Sequence, residues 1–195
     1  MGTRHLICVF YRGRFVIAQY GQWDGYPENQ GVTVVTFLLD PANIERLKQG
    51  LAHIYTPTVE EQDEIGKELN RQAKEHWAYD QMKCSTYPSM SRDTGGKILQ
   101  VVADATAEAR VPVCLELDFI HDGCCEWSYV VDLDTEVLEV FHGLEKEREW
   151  SSERFKDVVD GAVAGRVPSL VKTFDFAELR ENDCDFVGAM KEAPR

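Results

Sequence analysis

Two nearly continuous apolar stretches open the chain, at positions 5–11 and 15–20. The short segment between them, Arg12-Gly13-Arg14, contains a glycine. Apolar runs joined by a short glycine-containing turn are typical of a β-hairpin. Because neither run alternates with polar residues, we expect both faces of this hairpin to be buried.

Helical patterns follow. Val32 to Leu39 is an apolar run that suits a buried helix, although its β-branched residues keep a strand as an alternative. Asp40-Pro41 is a typical N-cap and first position of a second helix. The apolar stripe of that helix consists of Ile44, Leu47, Leu51 and Ile54.

Capping residues indicate the next helix. Thr58 and Glu61 have the spacing of a capping box, which predicts a charged helix from residue 58 to Trp77. Residues 78–92 lack a regular pattern. A further helix is expected from about residue 93 to Ala109.

Strand patterns return in the second half of the chain. A strand is predicted at 113–120, a second hairpin at 127–132 and 136–141 across an Asp134 turn, and a last strand at 170–176. Ser151 or Ser152 is expected to cap a helix that runs to about Val163. The polar residues 178–195 are expected to fray.

This order of elements predicts the α+β class. Strands cluster towards both ends of the chain and helices lie between them, which favours an antiparallel sheet built from the N-terminal and central hairpins and packed by helices. The length of 195 residues suits a single domain, 1–195.

The net charge of −13 makes binding to nucleic acid or to an anionic membrane surface unfavourable. The opening apolar run is short for a signal peptide, and no run approaches the roughly 18 apolar residues of a membrane helix. The six scattered cysteines are expected to be reduced. We therefore expect a cytoplasmic protein without disulfide, metal or cofactor.

The glycine-punctuated loop 20–31 carries the clearest candidate site. It combines aromatic, amide and carboxylate side chains, namely Tyr20, Gln22, Trp23, Asp24 and Tyr26. A binding pocket needs apolar area and a few polar groups that orient the ligand. The alternative is a structural loop whose aromatic side chains close the end of the core.

The open end of the predicted hairpin places Thr3 and Arg4 beside this loop, because paired strands lie about 5 Å apart. Arg4 would be a fork-like donor for a carboxylate or phosphate, and the alternative is an ion pair with Asp24 or Glu28. His5 is expected to be structural.

A second candidate is the run Ser91-Arg92-Asp93-Thr94-Gly95-Gly96-Lys97. If a helix starts near Asp93, its free N–H groups form an anion site. The alternative is that Ser91 or Asp93 only caps the helix. The run is not a phosphate-binding P-loop, because the required spacing is missing.

Two further groups of residues are candidates for chemistry. His121, Cys124, Cys125 and His142 match no zinc spacing, so no metal is expected. Glu126 and Asp132 alternate in phase and would share one face of a strand. They form either a carboxylate pair for acid–base work or a solvated face.

Four runs of the sequence carry a family resemblance: the opening MGTR, AQYGQWDGYP at 18–27, SRDTG at 91–95 and EWSYVVDLD at 126–134. The resemblance is to an uncharacterised family of small fungal, bacterial and phage proteins. It covers most of residues 1–143 and implies no activity. The strand–turn–strand–loop opening also resembles N-terminal-nucleophile hydrolases, in which an exposed first residue attacks an amide; Thr3 would be that nucleophile after removal of Met1 and Gly2.

These observations predict a small enzyme acting on a polar small molecule or an amide-like bond, with the chemistry of a hydrolase or amidase. The candidate catalytic residues are Thr3, Arg4, Asp24, Ser91 and Asp93. The candidate ligand-binding residues are Tyr20, Gln22, Trp23, Tyr26, Arg92 and Glu126. The alternative is a non-catalytic module that binds a small molecule or a peptide with the same loop.

Overall fold

A computed structural model of the protein describes residues 2–75, 86–121, 124–146, 153–155, 158, 166–181 and 184–193. The main strands are β1 (His5–Tyr11), β2 (Arg14–Gly21), β5 (Trp127–Asp132), β6 (Val137–Lys146) and β7 (Arg166–Asp175). They form one sheet in the order β2-β1-β5-β6-β7. Two short strands, β3 (Ile54–Tyr55) and β4 (Val111–Pro112), form a separate parallel pair.

Both predicted hairpins are confirmed. β1 pairs antiparallel with β2, and β5 pairs antiparallel with β6. The first turn uses Arg12 and Gly13, both at positive φ, which two-residue hairpin turns require. Their N–H groups each donate to the carboxylate of Asp134 at 2.8 Å. The turns of the two hairpins are therefore held together.

The hairpins meet along β1 and β5, which run parallel with His5 opposite Trp127. The sheet is therefore mixed rather than antiparallel throughout, while the α+β class is confirmed. A parallel pair needs a long crossover connection. Here the chain between β2 and β5 provides this connection.

Helices cover one face of this sheet. They are α1 (Val32–Leu38), α2 (Pro41–Gly50), α4 (Ile98–Ala103), α5 (Phe176–Leu179) and α6 (Phe186–Glu192), and α3 (Val59–Glu75) lies outside the main core. The main core lies between this layer and the sheet and includes Ile7, Val9, Leu38, Leu47, Leu99, Tyr129 and Leu138. None of the described helices is long and apolar enough to cross a membrane.

Two predicted helix starts are confirmed by their caps. The Asp40 carboxylate accepts the N–H of Ala42 at 2.9 Å at the start of α2. Thr58 Oγ1 accepts the N–H of Glu61 at 3.2 Å, and the Glu61 carboxylate accepts the N–H of Thr58 at 2.8 Å. These bonds satisfy N–H groups that have no partner inside the helix. The predicted end of α3 at Trp77 lies outside the described residues.

The helix predicted from residue 93 to Ala109 is too long. A 3-10 turn at Gly95–Lys97 leads into α4, which ends at Ala103. Beyond it, Thr106 and Ala109 exchange two backbone hydrogen bonds at 3.2 Å, and Thr106 Oγ1 also accepts the N–H of Ala109. This local turn replaces the helical bonds, as threonine side chains often do.

The strand predicted at 113–120 is wrong. Its second half is a 3-10 helix, Leu117–His121. Its first half touches the sheet through one parallel bridge between Leu115 and Ala18, and Glu116 N–H donates to Ala18 O at 3.0 Å. The alternating pattern therefore reflects a segment that covers the edge of β2.

Two boundaries also differ. The prediction that the apolar stripe of α2 includes Leu51 and Ile54 is wrong. The helix ends at Gly50, and Ile54 begins β3. Within the polar segment 178–195, α6 buries Phe186 and Met190 in the main core. Most of the helix predicted at 151–163 lies outside the described residues; Glu153–Phe155 is one 3-10 turn.

The second face of the sheet carries a buried ion cluster. Arg154 Nη2 lies 2.5 Å from Asp132 Oδ2, and Arg154 Nε lies 2.7 Å from Glu139 Oε2. Although burial raises the pKa of Asp132, hydrogen bonds from the N–H of Thr135 and from Arg154 keep that pKa below its usual value. Asp132 is thus buried and ion-paired, which corrects the expected solvated face. Glu126 precedes β5 and is exposed.

Candidate ligand-binding site

Backbone hydrogen bonds join the start of the chain to two distant segments. The N–H of Gly25 donates to the carbonyl of Thr3 at 3.0 Å. The N–H of Glu126 donates to the carbonyl of Arg4 at 3.0 Å. Thr3 and Arg4 therefore lie beside the loop 20–31, as the hairpin geometry predicts, and also beside the start of β5.

The loop is also joined to the segment that precedes α4. Gln22 N–H donates to the carbonyl of Arg92 at 2.9 Å, and Gln19 Nε2 donates to the carbonyl of Ser91 at 3.0 Å. Gln19 was not among the predicted site residues. The signal was an amide side chain within an apolar strand, because a buried amide must find hydrogen-bond partners.

Tyr20 and Gln22 shape the loop rather than face outward. The hydroxyl of Tyr20 donates to Gln22 Oε1. The Tyr20 ring lies edge-on to Phe119, with 4.4 Å between ring centroids. The N–H of Tyr20 donates to the Glu116 carboxylate at 2.8 Å. The side chains of Tyr20 and Gln22, which are predicted to bind a ligand, therefore already contact other residues of the protein.

Two aromatic side chains remain exposed on this loop. Trp23 is 47% exposed and Tyr26 is 48% exposed. Part of the Trp23 ring covers Gly2, since a Cβ built on Gly2 would lie 2.3 Å from Trp23 Cε3. The rest of the ring faces solvent. The loop therefore presents large apolar surfaces on a backbone that hydrogen bonds hold in place.

Asp24 lies between these aromatic residues, is exposed, and has a φ of +58°. Aspartate and asparagine tolerate this left-handed conformation better than other residues with a Cβ. The Asp24 carboxylate forms no ion pair with any residue that the structure describes. It is therefore available to a ligand.

We expect Asp24→Asn to keep the free energy of unfolding within about 0.5 kcal/mol of the wild type. Asparagine tolerates positive φ and no ion pair is lost. Asp24→Val should lower it by about 1–2 kcal/mol, because a β-branched residue is strained at positive φ. Urea unfolding of the three proteins measures both effects. A loss of several kcal/mol in Asp24→Asn would assign the carboxylate to stability.

The glycine-rich turn before α4 lacks one of the free N–H groups that an anion site would use. The N–H of Gly96 donates to Gln30 Oε1 at 2.8 Å. Ser91 Oγ accepts the N–H of Asp93 at 3.3 Å in the turn that precedes the helix. The cap residues of the 3-10 turn and of α4 are Thr94 and Lys97, and neither start has a side-chain cap, so the prediction that Ser91 or Asp93 caps the helix is wrong. Asp93 Oδ1 is buried and has no partner among the described residues. The arrangement supports a structural role for the turn, in which Asp93 Oδ1 is a buried side-chain atom without a described partner.

Two arginines supply positive charge near the loop. Within the described ranges, neither Arg4 nor Arg92 forms an ion pair, so the alternative pairing of Arg4 with Asp24 or Glu28 is not found. Arg92 is exposed and Arg4 is partly buried. Both guanidinium groups are free to bind a carboxylate or phosphate.

The sequence predicts only a structural role for His5, but its burial makes it a candidate for chemistry. It is 1% exposed, and within the described chain neither ring nitrogen has a partner at good hydrogen-bonding geometry, although the backbone of Thr3 lies close enough to interact with the ring. Burial lowers the pKa of His5 to about 4, although the nearby Thr3 carbonyl opposes this shift. The imidazole is therefore neutral at pH 7. Its only signal in the sequence is a polar residue at the start of an apolar strand.

A row of side chains crosses the sheet at the level of His5. The strand register places these residues side by side: Gly21, His5, Trp127, His142 and Ser169. Directly opposed residues share one face of a sheet. The Trp127 and His142 rings meet edge-on at 4.6 Å, and Ser169 Oγ is buried without a described partner. This row lies at the end of the sheet where β1 begins and β2 ends.

The candidate zinc ligands do not form one cluster among the described residues. No group of three or more ligand residues is found among the described residues. His121 Nε2 lies 2.6 Å from the carbonyl of Val158, and Cys125 Sγ lies 3.4 Å from Ser128 Oγ. His142 packs on Trp127 on the opposite face of the sheet from Cys125.

Comparison of the chain with models of protein families, with curated proteins and with solved structures found no match. The family resemblance noted from the sequence therefore stays a prediction.

Proposed function

We propose that the chain is a ligand-binding protein whose site is built around Trp23 and Tyr26. The observation that carries this proposal is that both aromatic side chains are about half exposed on a loop tied to Thr3 and Arg92 by backbone hydrogen bonds. A loop that is already ordered loses little conformational entropy when a ligand binds. Aromatic surface held in this way favours binding over a purely structural role.

The neighbouring charges narrow the ligand class. Arg4 and Arg92 favour a carboxylate or phosphate, while the aromatic rings favour an apolar or planar body. A polar small molecule or a short peptide with an acidic group combines both features. The net charge of −13 disfavours long polyanions such as nucleic acid. The cytoplasmic location stays a prediction.

An amidase-like enzyme is the second candidate, and His5 is the observation that favours it. A neutral imidazole can act as a general base. However, Thr3, the predicted nucleophile, is 5% exposed, and its carbonyl is held by Gly25. No side-chain hydrogen bond joins Thr3, Arg4 or Asp24 to another described ionisable group. Binding therefore has the stronger support.

We expect Trp23→Ala to weaken ligand binding by about 10–100-fold, because most of the apolar contact is lost. Arg4→Ala should weaken it by on the order of 1.5–3 kcal/mol for a lost charged hydrogen bond. Fluorine NMR of protein labelled with 5-fluorotryptophan, screened against amino acids, dipeptides and sugar phosphates, identifies ligands that move the Trp23 resonance. Titration of each variant then gives the affinity.

Leu39→Ala is the matched control, because Leu39 is also a large exposed apolar residue, 44% exposed, at the end of α1. Its affinity should equal that of the wild type. The buried Trp127 provides an internal resonance that should stay in place. If no compound in the panel moves the Trp23 signal, or if Trp23→Ala binds normally, the proposal is wrong. Hydrolysis of a panel dipeptide that Thr3→Ala abolishes would favour the enzyme.

A further inference from the structure

We propose that the ligand of this site is a zwitterion. Its primary ammonium group binds the carboxylates of Asp24 and Glu126 against the Trp23 ring, and its acidic group binds Arg4. This inference deepens the proposed function and rests on it, because the same loop and the same arginine are used. It adds a cationic group to the ligand, which makes the ligand an amino acid or a short peptide with a free amino end.

The first argument is the balance of charges around the loop. Arg4 and Arg92 contribute two positive charges. Asp24, Glu28 and Glu126 contribute three negative charges, and all three carboxylate side chains are exposed. None of these five side chains forms an ion pair within the described ranges. A ligand with only an anionic group would meet more repulsion than attraction here, whereas a zwitterion matches charges of both signs.

The second argument is that two opposite charges lie side by side without pairing. Arg4 and Glu126 each lie one position before the first paired residues of β1 and β5. The N–H of Glu126 donates to the carbonyl of Arg4 at 3.0 Å, so the two backbones are in contact. The guanidinium and carboxylate groups nevertheless form no ion pair in the described structure. Both groups are therefore available to the two ends of one small molecule.

The third argument is that the loop brings aromatic surface and a carboxylate to the same end of the sheet. Part of the Trp23 ring covers Gly2. The N–H of Gly25 donates to the carbonyl of Thr3 at 3.0 Å. Trp23 and Asp24 therefore lie beside the segment that leads into β1. A cation is attracted both by the face of a tryptophan ring and by a carboxylate, so this pair of side chains suits an ammonium group.

The carboxylates select a primary ammonium group. It carries three N–H donors, whereas a quaternary ammonium has none to offer to Asp24 or Glu126. An amino acid or a peptide with a free amino end supplies a primary ammonium and a carboxylate in one molecule. A sugar phosphate supplies only the anion.

Matched derivatives test the ammonium group directly. Each amino acid and dipeptide of the fluorine NMR panel is titrated beside its N-acetyl derivative, which keeps the acidic group and loses the positive charge. We expect acetylation to weaken binding at least tenfold. A smaller loss, or tighter binding of sugar phosphates than of amino acids and dipeptides, would overturn the zwitterion. The N-trimethyl derivatives should also bind more weakly than the parent compounds, and equal or tighter binding would overturn the primary ammonium.

Asp24→Asn tests the counter-charge in the protein and keeps the loop conformation, since asparagine tolerates positive φ. We expect at least fivefold weaker binding of the parent compound and unchanged binding of its N-acetyl derivative. Asp63→Asn is the matched control, because it removes the same charge from an exposed position of α3, and its affinity should equal that of the wild type. Equal affinities of Asp24→Asn and Asp63→Asn for the parent compound would overturn the assignment of Asp24.

The two proposals fail in different ways. If no compound in the panel moves the Trp23 resonance, the proposed function is wrong and the zwitterion with it. If compounds bind but acetylation leaves their affinity unchanged, only the zwitterion is wrong.

Discussion

Replacing Gly50 with alanine is expected to lower the free energy of unfolding by about 3 kcal/mol or more. Gly50 is the last residue of α2, and a Cβ there would lie 1.8 Å from the carbonyl oxygen of Val102 in α4. The obstacle is backbone, so no side-chain rotation can relieve it. α2 and α4 must separate, and the packing of Leu47 in the main core is then lost.

Urea unfolding and thermal melting measure this effect. A loss of about 3 kcal/mol corresponds to a fall in Tm of about 6–12 °C for a domain of this size. Gly66→Ala is the control, because alanine favours the interior of a helix and should be neutral or stabilising by up to about 1 kcal/mol. A loss below about 1 kcal/mol in Gly50→Ala would contradict the close approach of the two helices.

Acid should destabilise the protein by about 3 kcal/mol through His5 alone, in the range between pH 6.5 and 4. Burial lowers the pKa of His5 from 6.5 to about 4 in the folded state. Above pH 6.5 the ring is neutral in both states and has no effect. As the pH falls below 6.5, the unfolded state binds a proton that the folded state cannot, so stability decreases. The loss is complete below about pH 4.

His5→Phe separates this effect from that of other groups. The variant should match or exceed the wild type at pH 7.5, because an apolar ring replaces an unsatisfied polar ring. Its advantage should grow by about 3 kcal/mol between pH 7.5 and 4. Asp132 is present in both proteins, so its contribution cancels in the difference between them. An NMR titration of His5 with a midpoint near 6.5 would refute the prediction.

Local sequence patterns predict one of the contacts that build the site and not the other. The hairpin brings Thr3 beside Gly25, and this follows from strand pairing, which the apolar runs at 5–11 and 15–20 show directly. The neighbourhood of Gln22 and Arg92 does not follow from any local pattern. It depends on how the segment before α4 packs on the end of β2, which is a contact between residues distant in sequence.

The differences between the predicted and the observed elements also arise from contacts between residues distant in sequence. Residues 113–120 alternate like a strand, yet Leu115 makes a single bridge to Ala18 because this segment covers an edge of the sheet. The polar composition after residue 178 suggests fraying, yet Phe186 and Met190 reach the core. In both regions, tertiary packing decides the structure where local preference is weak.

The amino-acid sequence by itself determined the elements whose signals are local: the two hairpins, the capped starts of α2 and α3, and the aromatic loop at 20–31. These depend on turn residues, caps and apolar periodicity within a few positions. Only the tertiary structure decided the parallel pairing of β1 with β5, the exposure of Trp23 and the burial of His5. The physical reason is that register, burial and hydrogen-bond satisfaction depend on partners brought together from distant parts of the chain.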